Sequence, residues 1–294
     1  MKNLAEQLLQ QLKAGKPPNI ALMHLLMAAR DPGEAADAIR FAWEADDPPS
    51  IEGLHAVARL WADHPDAWDK LHAVAVDHHV AAGSPDAGLA RWSALYDRLA
   101  GASPEAAVAL YSLGSAELLK AATGEVADYL RRKGLLGHDR KLLEIGCGIG
   151  RLVEVLAPEV GSIAGIDLSA EMIRQARQRC AGHPNVHLAH VSGRELSGFG
   201  DAVFDLVIAV DVFPYMMQAG AEIVASNMAE SARILKDRGT LAIFNFSYGC
   251  GDEWERLKVR RFANQSGFAI IENGTRPFKL WDGTSFLLAK GTSG

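Results

Sequence analysis

The 294 residues predict an α/β fold in two parts: an all-α N-terminal domain over residues 1–124, then a domain over 125–294 built on seven strands, the last antiparallel. Three observations carry that expectation. Up to about residue 125, leucines recur at helical spacing and segments open on proline. After Gly134, short apolar runs alternate with amphipathic stretches, as in a parallel sheet with crossover helices. The last two runs are joined by only about 13 residues that hold Gly and Pro and no helical pattern.

Taken in order, Leu4, Leu8 and Leu12 mark a first helix. Further helices are expected at Asp31-Pro32, Pro48-Pro49, His64-Pro65, Ser84-Pro85 and Ser103-Pro104, because proline suits a first turn, where its missing N–H is not needed. The near-regular interval between these starts is that of helical-hairpin repeats, but no residue-level repeat accompanies it. The helices therefore read as a lid or a homodimer surface. Strands are expected at 141–145, 162–167, 186–191, 204–210, 240–246, 268–271 and 285–289. The final two should pair antiparallel, since their link is too short for a crossover.

Composition narrows the function. A net charge of -6 gives no footprint for wrapping a polyanion, so nucleic acid is disfavoured as a partner. Cys147, Cys180 and Cys250 fall in no CxxC or Cys/His spacing, which fits reduced thiols and no metal. His72, Asp77, His78 and His79 crowd one segment, yet adjacent helical residues point about 100° apart and do not converge on an ion. The N-terminus mixes charge with leucine, and no uncharged apolar run reaches the roughly 18 residues of a membrane span. A cytoplasmic protein without a membrane partner is the expectation.

The strongest local signal is Leu142-Leu143-Glu144-Ile145-Gly146-Cys147-Gly148-Ile149-Gly150, an apolar strand running into a glycine turn and then a helix from Arg151. A dinucleotide fingerprint needs G-x-G-x-x-G, but Arg151 holds the sixth position and Glu144 stands two residues before the first glycine. A carboxylate there would repel a pyrophosphate and attract the ammonium and sulfonium of S-adenosylmethionine (SAM). Asp167, closing the second strand, is placed to accept from both ribose hydroxyls.

These stretches, with FDLVIAVDV and ARILKDRGTLAIF following in order, resemble the class I SAM-dependent methyltransferases over residues 141–246. The resemblance implies a Rossmann-like methyltransferase sheet that uses SAM and yields S-adenosylhomocysteine. It assigns Glu144, Gly146, Cys147 and Gly148 to the methionine end and its turn, Asp167 to the ribose, and Leu168 and Met172 to the adenine surroundings. Ser192 and Gly193 would face the adenine edge, and Asp211 the methionine ammonium. Family members also use helices before the glycine motif as a lid, which nominates Tyr96 and Tyr111.

Ligands of open parallel sheets bind beyond the carboxyl ends of the strands, so the acceptor pocket should follow the fourth and fifth strands and include the link between the last two. That reasoning selects Tyr215, Tyr248, Arg276, Trp281 and Asp282 for acceptor positioning. Aromatic faces and a carboxylate suit a cation, and arginine grips a carboxylate. The expected acceptor is a small polar metabolite, an amine or amino acid methylated on nitrogen. S-methylation of a thioether such as free methionine and O-methylation of a natural product are the alternatives. A non-catalytic SAM-binding regulator with a helical partner-binding domain is the reading from a different class.

Overall fold

The computed structural model describes residues 2–44, 51–75, 84–248 and 251–291. Among them the chain forms two compact units. The described residues of 2–75, 99–125 and 278–282 make up one, and those of 84–98, 126–277 and 283–291 the other. The division is not a single cut at 124: residues 84–98 group with the sheet, and 278–282 group with the helices.

In the helical unit, α1 (Lys2–Lys13), α2 (Pro18–Ala28), α3 (Pro32–Trp43), α4 (Ile51–Asp63) and α5 (Ala67–Val74) bury Leu8, Leu22, Leu26, Leu54 and Leu71 in one core. Each such leucine contributes about 1.5–3 kcal/mol of transfer free energy. Proline opens α2 and α3, and Asp31 caps α3 by accepting from the Glu34 N–H at 2.8 Å. Pro48 and Pro49 lie outside the described residues, as do Asp77, His78 and His79. Pro65 opens a turn instead of a helix: Ala67 N–H donates to His64 O, and α5 starts only there. The remaining early helices are α6 (Pro85–Ala102), α7 (Pro104–Val108) and α8 (Ala116–Arg132). Proline opens α6 and α7 as the sequence predicts.

The sheet unit holds β1 (Gly137–Ile145), α9 (Arg151–Leu156), β2 (Val160–Asp167), α10 (Ala170–Arg179), β3 (Val186–His190) and β4 (Phe204–Val210). Then follow α11 (Phe213–Ala219), α12 (Ala221–Ile234), β5 (Leu235–Phe244), α13 (Asp252–Gln265), β6 (Phe268–Thr275) and β7 (Ser285–Lys290). Among the described residues the strands form one seven-stranded sheet in the order β3-β2-β1-β4-β5-β7-β6. Only β7 runs against its neighbours, pairing antiparallel with both β5 and β6. The central strands are buried on both faces, through Leu142, Leu143, Leu206, Val207, Ile208 and Leu241 to Phe244, which is why they read as continuous apolar runs.

Chain order reverses at β1, flanked by β2 and β4, and the crevice beyond its carboxyl end is where an open α/β sheet takes a ligand. Two details aim the backbone there. Strand β5 stops at Phe244, short of the predicted 246, because Asn245 turns into a left-handed conformation with φ 62°. Asp211 does the same after β4 with φ 56°, and the last residues of the two strands, Val210 and Phe244, are in register. Such a backbone costs a non-glycine residue roughly 1 kcal/mol or more and persists only where its surroundings fix it.

Candidate cofactor and acceptor site

The cofactor side begins where β1 ends. Gly146 and Cys147 N–H both donate to Ile166 O, at 2.7 and 3.0 Å, folding the chain across the end of β2. Gly146 has φ 69°, and a Cβ there would stand 2.2 Å from Val212 Cγ2, so glycine is required by conformation and by space. Gly148 follows with φ 52°, and its N–H donates to Asp167 Oδ2 at 2.8 Å.

Asp167 is 8% exposed, and its Oδ1 accepts from the Ser169 N–H at 2.8 Å. Burial raises its carboxyl above the ordinary value, while the N–H groups of Ser169 and Gly148 oppose that rise. Each oxygen keeps a lone pair for a further donor, which is what a ribose diol requires. Glu144 is 3% exposed; the Val153 N–H in the first turn of α9 donates to it, and its Oε2 has no hydrogen-bond partner among the described residues. Burial pushes this carboxyl up to about 8 against the pull of the Arg151 charge. An orphaned buried acceptor next to a glycine turn fits a cationic ligand and would oppose a phosphate.

The other cofactor candidates contribute in different ways. Cys147 turns its thiol into the interior, where burial raises its pKa, so it offers backbone and not a reactive sulfur. Met172 is buried at the start of α10, its N–H bonded to the Ser169 hydroxyl, which caps that helix. Leu168 is half-buried and Ser192 exposed, with the Ser192 hydroxyl accepting from Arg194 N–H. Gly193 has φ 78°, and its carbonyl accepts from Asn227 Nδ2.

Helix α6 adds residues the sequence reading did not select. Ser93 Oγ donates to Leu168 O at 2.7 Å; Asp97 Oδ1 accepts from Ser169 Oγ at 2.6 Å and Glu171 N–H at 3.0 Å. These two side chains, four residues apart on one helix face, lock residues 85–98 onto the Asp167–Met172 segment. The i, i+4 polar pair was the available signal.

On the acceptor side, Asp211 Oδ1 accepts from Asn245 Nδ2 at 2.7 Å and from the Tyr248 hydroxyl at 2.9 Å. Around it stand aromatic rings in edge-to-face contact: Trp92 and Tyr215 at 4.8 Å between centroids, Tyr96 and Tyr215 at 5.5 Å, Tyr215 and Tyr248 at 5.9 Å. The hydroxyls of Tyr96, Tyr215 and Tyr248 are hydrogen-bonded in succession. Tyr248 donates to the carboxylate, so the three linked hydroxyls adjoin Asp211 Oδ1. Burial pushes Tyr215 up to about 12 and raises Tyr96 well above the ordinary phenol value, so these phenols remain neutral at physiological pH.

The structure thus brings Tyr215, Tyr248 and Asp211 together with the lid candidate Tyr96, and gives three of the predicted acceptor residues other partners. Arg276 is exposed and paired with Asp252 of α13, which neutralises the charge meant for a substrate carboxylate. Trp281 and Asp282 belong to the helical unit. Trp281 is 3% exposed and stacked between Phe278 at 5.1 Å and Tyr111 at 5.6 Å, while Asp282 is ion-paired with Lys16. The backbone of this segment is held from both sides, since Asn19 Nδ2 donates to Leu280 O and Glu125 accepts from Lys279 and Leu280 N–H. Among the described residues no group of three or more His, Cys, Asp or Glu could hold a metal, and no helix is long and apolar enough to cross a membrane.

Comparison with known proteins bears on the sheet unit. Residues 143–243 match the methyltransferase domain family described as "Methyltransferase domain". A ubiquinone biosynthesis O-methyltransferase of Paracidovorax citrulli is 28% identical over 102 residues, 34% of this chain and 41% of that protein. A trans-aconitate 2-methyltransferase of Rhodopseudomonas palustris is 38% identical over 79 residues, 24% of this chain and 30% of its own. The chain spans less than half the length of these relatives. The solved phosphoethanolamine N-methyltransferase 1 of Haemonchus contortus shares the fold, with TM-score 0.53 and 14% identity over 71% of this chain and 50% of that one. Residues 143–243, which run from β1 to β5, thus match a methyltransferase domain, and the fold of the sheet unit is shared with a solved methyltransferase.

Proposed function

We propose that this protein transfers the SAM methyl group to the nitrogen of a small amine or amino acid. Bound SAM supplies an electrophilic methyl on a sulfonium; everything else is alignment, exclusion of water and removal of one proton. Gly146 and Gly148 let the backbone approach the cofactor, Asp167 holds its ribose, and Glu144 and Asp211 offset its positive charges. Leu168, Met172, Ser192 and Gly193 surround the adenine.

The observation that carries the acceptor assignment is the ring of Trp92, Tyr96, Tyr215 and Tyr248 next to the Asp211 carboxylate. Aromatic faces beside a carboxylate attract an ammonium by about 0.5–2 kcal/mol per face. An ammonium must lose a proton before its nitrogen can attack, and the linked hydroxyls of Tyr96, Tyr215 and Tyr248 beside Asp211 give that proton a path to a carboxylate without a histidine or lysine base. O-methylation is a second reading, favoured by the P. citrulli relative's being an O-methyltransferase.

The test is the initial rate of S-adenosylhomocysteine release with purified protein, SAM and matched panels of amines, amino acids, thioethers, phenols and carboxylates. Turnover confined to the first two panels supports the proposal. Turnover only with phenols or carboxylates moves the acceptor atom to oxygen, and tight SAM binding with no turnover on any panel favours a regulator.

A further inference from the structure

We propose that Glu255, a buried carboxylate the reaction itself does not use, is a positioning residue for Asp211; this rests on the role given to Asp211 above. Glu255 lies in the first turn of α13, where the helix N-terminus favours a negative charge, and is 5% exposed. Its Oε1 accepts from Ser247 N–H at 2.7 Å and Ser247 Oγ at 2.9 Å, and its Oε2 from Thr284 Oγ1 at 3.0 Å. One carboxylate therefore fastens two strand ends, the residue three past β5 and the residue before β7.

Both fastened residues lead to Asp211. Thr284 N–H donates to Asn245 Oδ1 at 2.9 Å, and Asn245 N–H donates back to Thr284 O at 2.8 Å. That pair of bonds turns the Asn245 amide so that its Nδ2 points at Asp211 Oδ1, 2.7 Å away. Ser247 precedes Tyr248, whose hydroxyl is the second donor to the same oxygen. Asparagine tolerates the left-handed backbone seen at Asn245 better than most residues, and the paired bonds with Thr284 fix it there. Glu255 thus sets both donors that orient the Asp211 carboxylate, and touches neither cofactor nor acceptor.

A purely structural role and a positioning role part company in a double-mutant cycle. Affinity for S-adenosylhomocysteine would be measured by calorimetry for wild type, Glu255→Gln, Asp211→Asn and the double variant. Glutamine keeps the volume but supplies one acceptor oxygen where two are used, so Glu255→Gln should weaken binding about five- to tenfold, the size of one or two lost hydrogen bonds. The double variant should bind within about twofold of Asp211→Asn alone, because Glu255 has nothing left to position.

Thr284→Val, which removes the Oγ1 donor, should reproduce the loss, and Thr284→Ser, which keeps it, should restore wild-type affinity; this pair carries the test if Glu255→Gln does not fold. Additive losses, or wild-type affinity in both Glu255→Gln and Thr284→Val, overturn the inference. If Asp211→Asn itself binds like wild type, the assignment of Asp211 fails and this inference fails with it. If Asp211→Asn loses affinity while Glu255→Gln and Thr284→Val do not, only this inference falls.

Discussion

Glu144→Gln isolates a pH dependence that the buried glycine turn builds into the fold. Glutamate titrates near 4.5 when free, and burial pushes the Glu144 carboxyl up to about 8. Between those values the folded chain holds a proton that the unfolded chain has released, so stability declines as pH rises through this window and levels off above it. At about 1.4 kcal/mol for each pH unit between the two values, the full loss is about 3–5 kcal/mol, a large part of a domain's net stability. Glutamine does not titrate, and its amide oxygen can still accept the Val153 N–H. Wild type and Glu144→Gln should therefore unfold at similar urea concentrations near pH 4.5 and diverge as pH rises, the variant being the more stable by several kcal/mol at pH 9. Equal stability at pH 9, or a variant that is the less stable there, refutes the reasoning. The same carboxyl should ionise when a cation binds beside it, so SAM titrations near pH 7 in buffers of different ionisation enthalpy should show proton release.

Asp167→Ala should weaken SAM binding by about 1–3 kcal/mol through lost charge-assisted hydrogen bonds, read by calorimetry; unchanged affinity removes Asp167 from the ribose site. Asp97→Ala, which frees the Asp167–Met172 segment from α6, should also weaken SAM binding, by roughly a factor of ten or less, and stopped-flow measurement should place the loss in the dissociation rate. Tyr215→Phe breaks the hydroxyl chain in its middle while keeping the ring, so turnover should fall by about 10²-fold or more with SAM affinity nearly intact; equal loss of both means that Tyr215 only supports the fold. Trp281→Ala should cost about 3–5 kcal/mol of stability by emptying the stack between Phe278 and Tyr111, seen as a lower melting temperature.

The candidate cofactor half of the site leaves a signature in the sequence because its requirements are local. A left-handed turn at Gly146 and a carboxylate within one residue of the ends of β1, β2 and β4 leave a fixed order and spacing that no packing preference imitates. The central strands β1, β2, β4 and β5 were legible for the same reason, as buried parallel strands write unbroken apolar runs. The acceptor half was only partly readable. Tyr215 and Tyr248 follow closely on strand ends, and the structure brings them together at Asp211. Trp281 and Asp282 share the same composition, yet their partners Tyr111, Phe278 and Lys16 claim them for the helical core, a tertiary choice that residue type does not record. The domain boundary was misplaced in the same way: helical periodicity continues through α6 and α8, and nothing in it marks that Leu89 packs into the core of the sheet unit. Glu255 was invisible because its partners, Ser247 and Thr284, lie on two different strand ends.

The most direct test of the account follows the methyl group itself. With ¹³C-methyl SAM, purified protein and the amine and amino acid panel, carbon NMR should show the label leaving sulfur and appearing as an N-methyl signal, with S-adenosylhomocysteine formed in equal amount. A label that stays on sulfur with every acceptor while SAM is bound, or that emerges as an O-methyl or a new S-methyl signal, contradicts it.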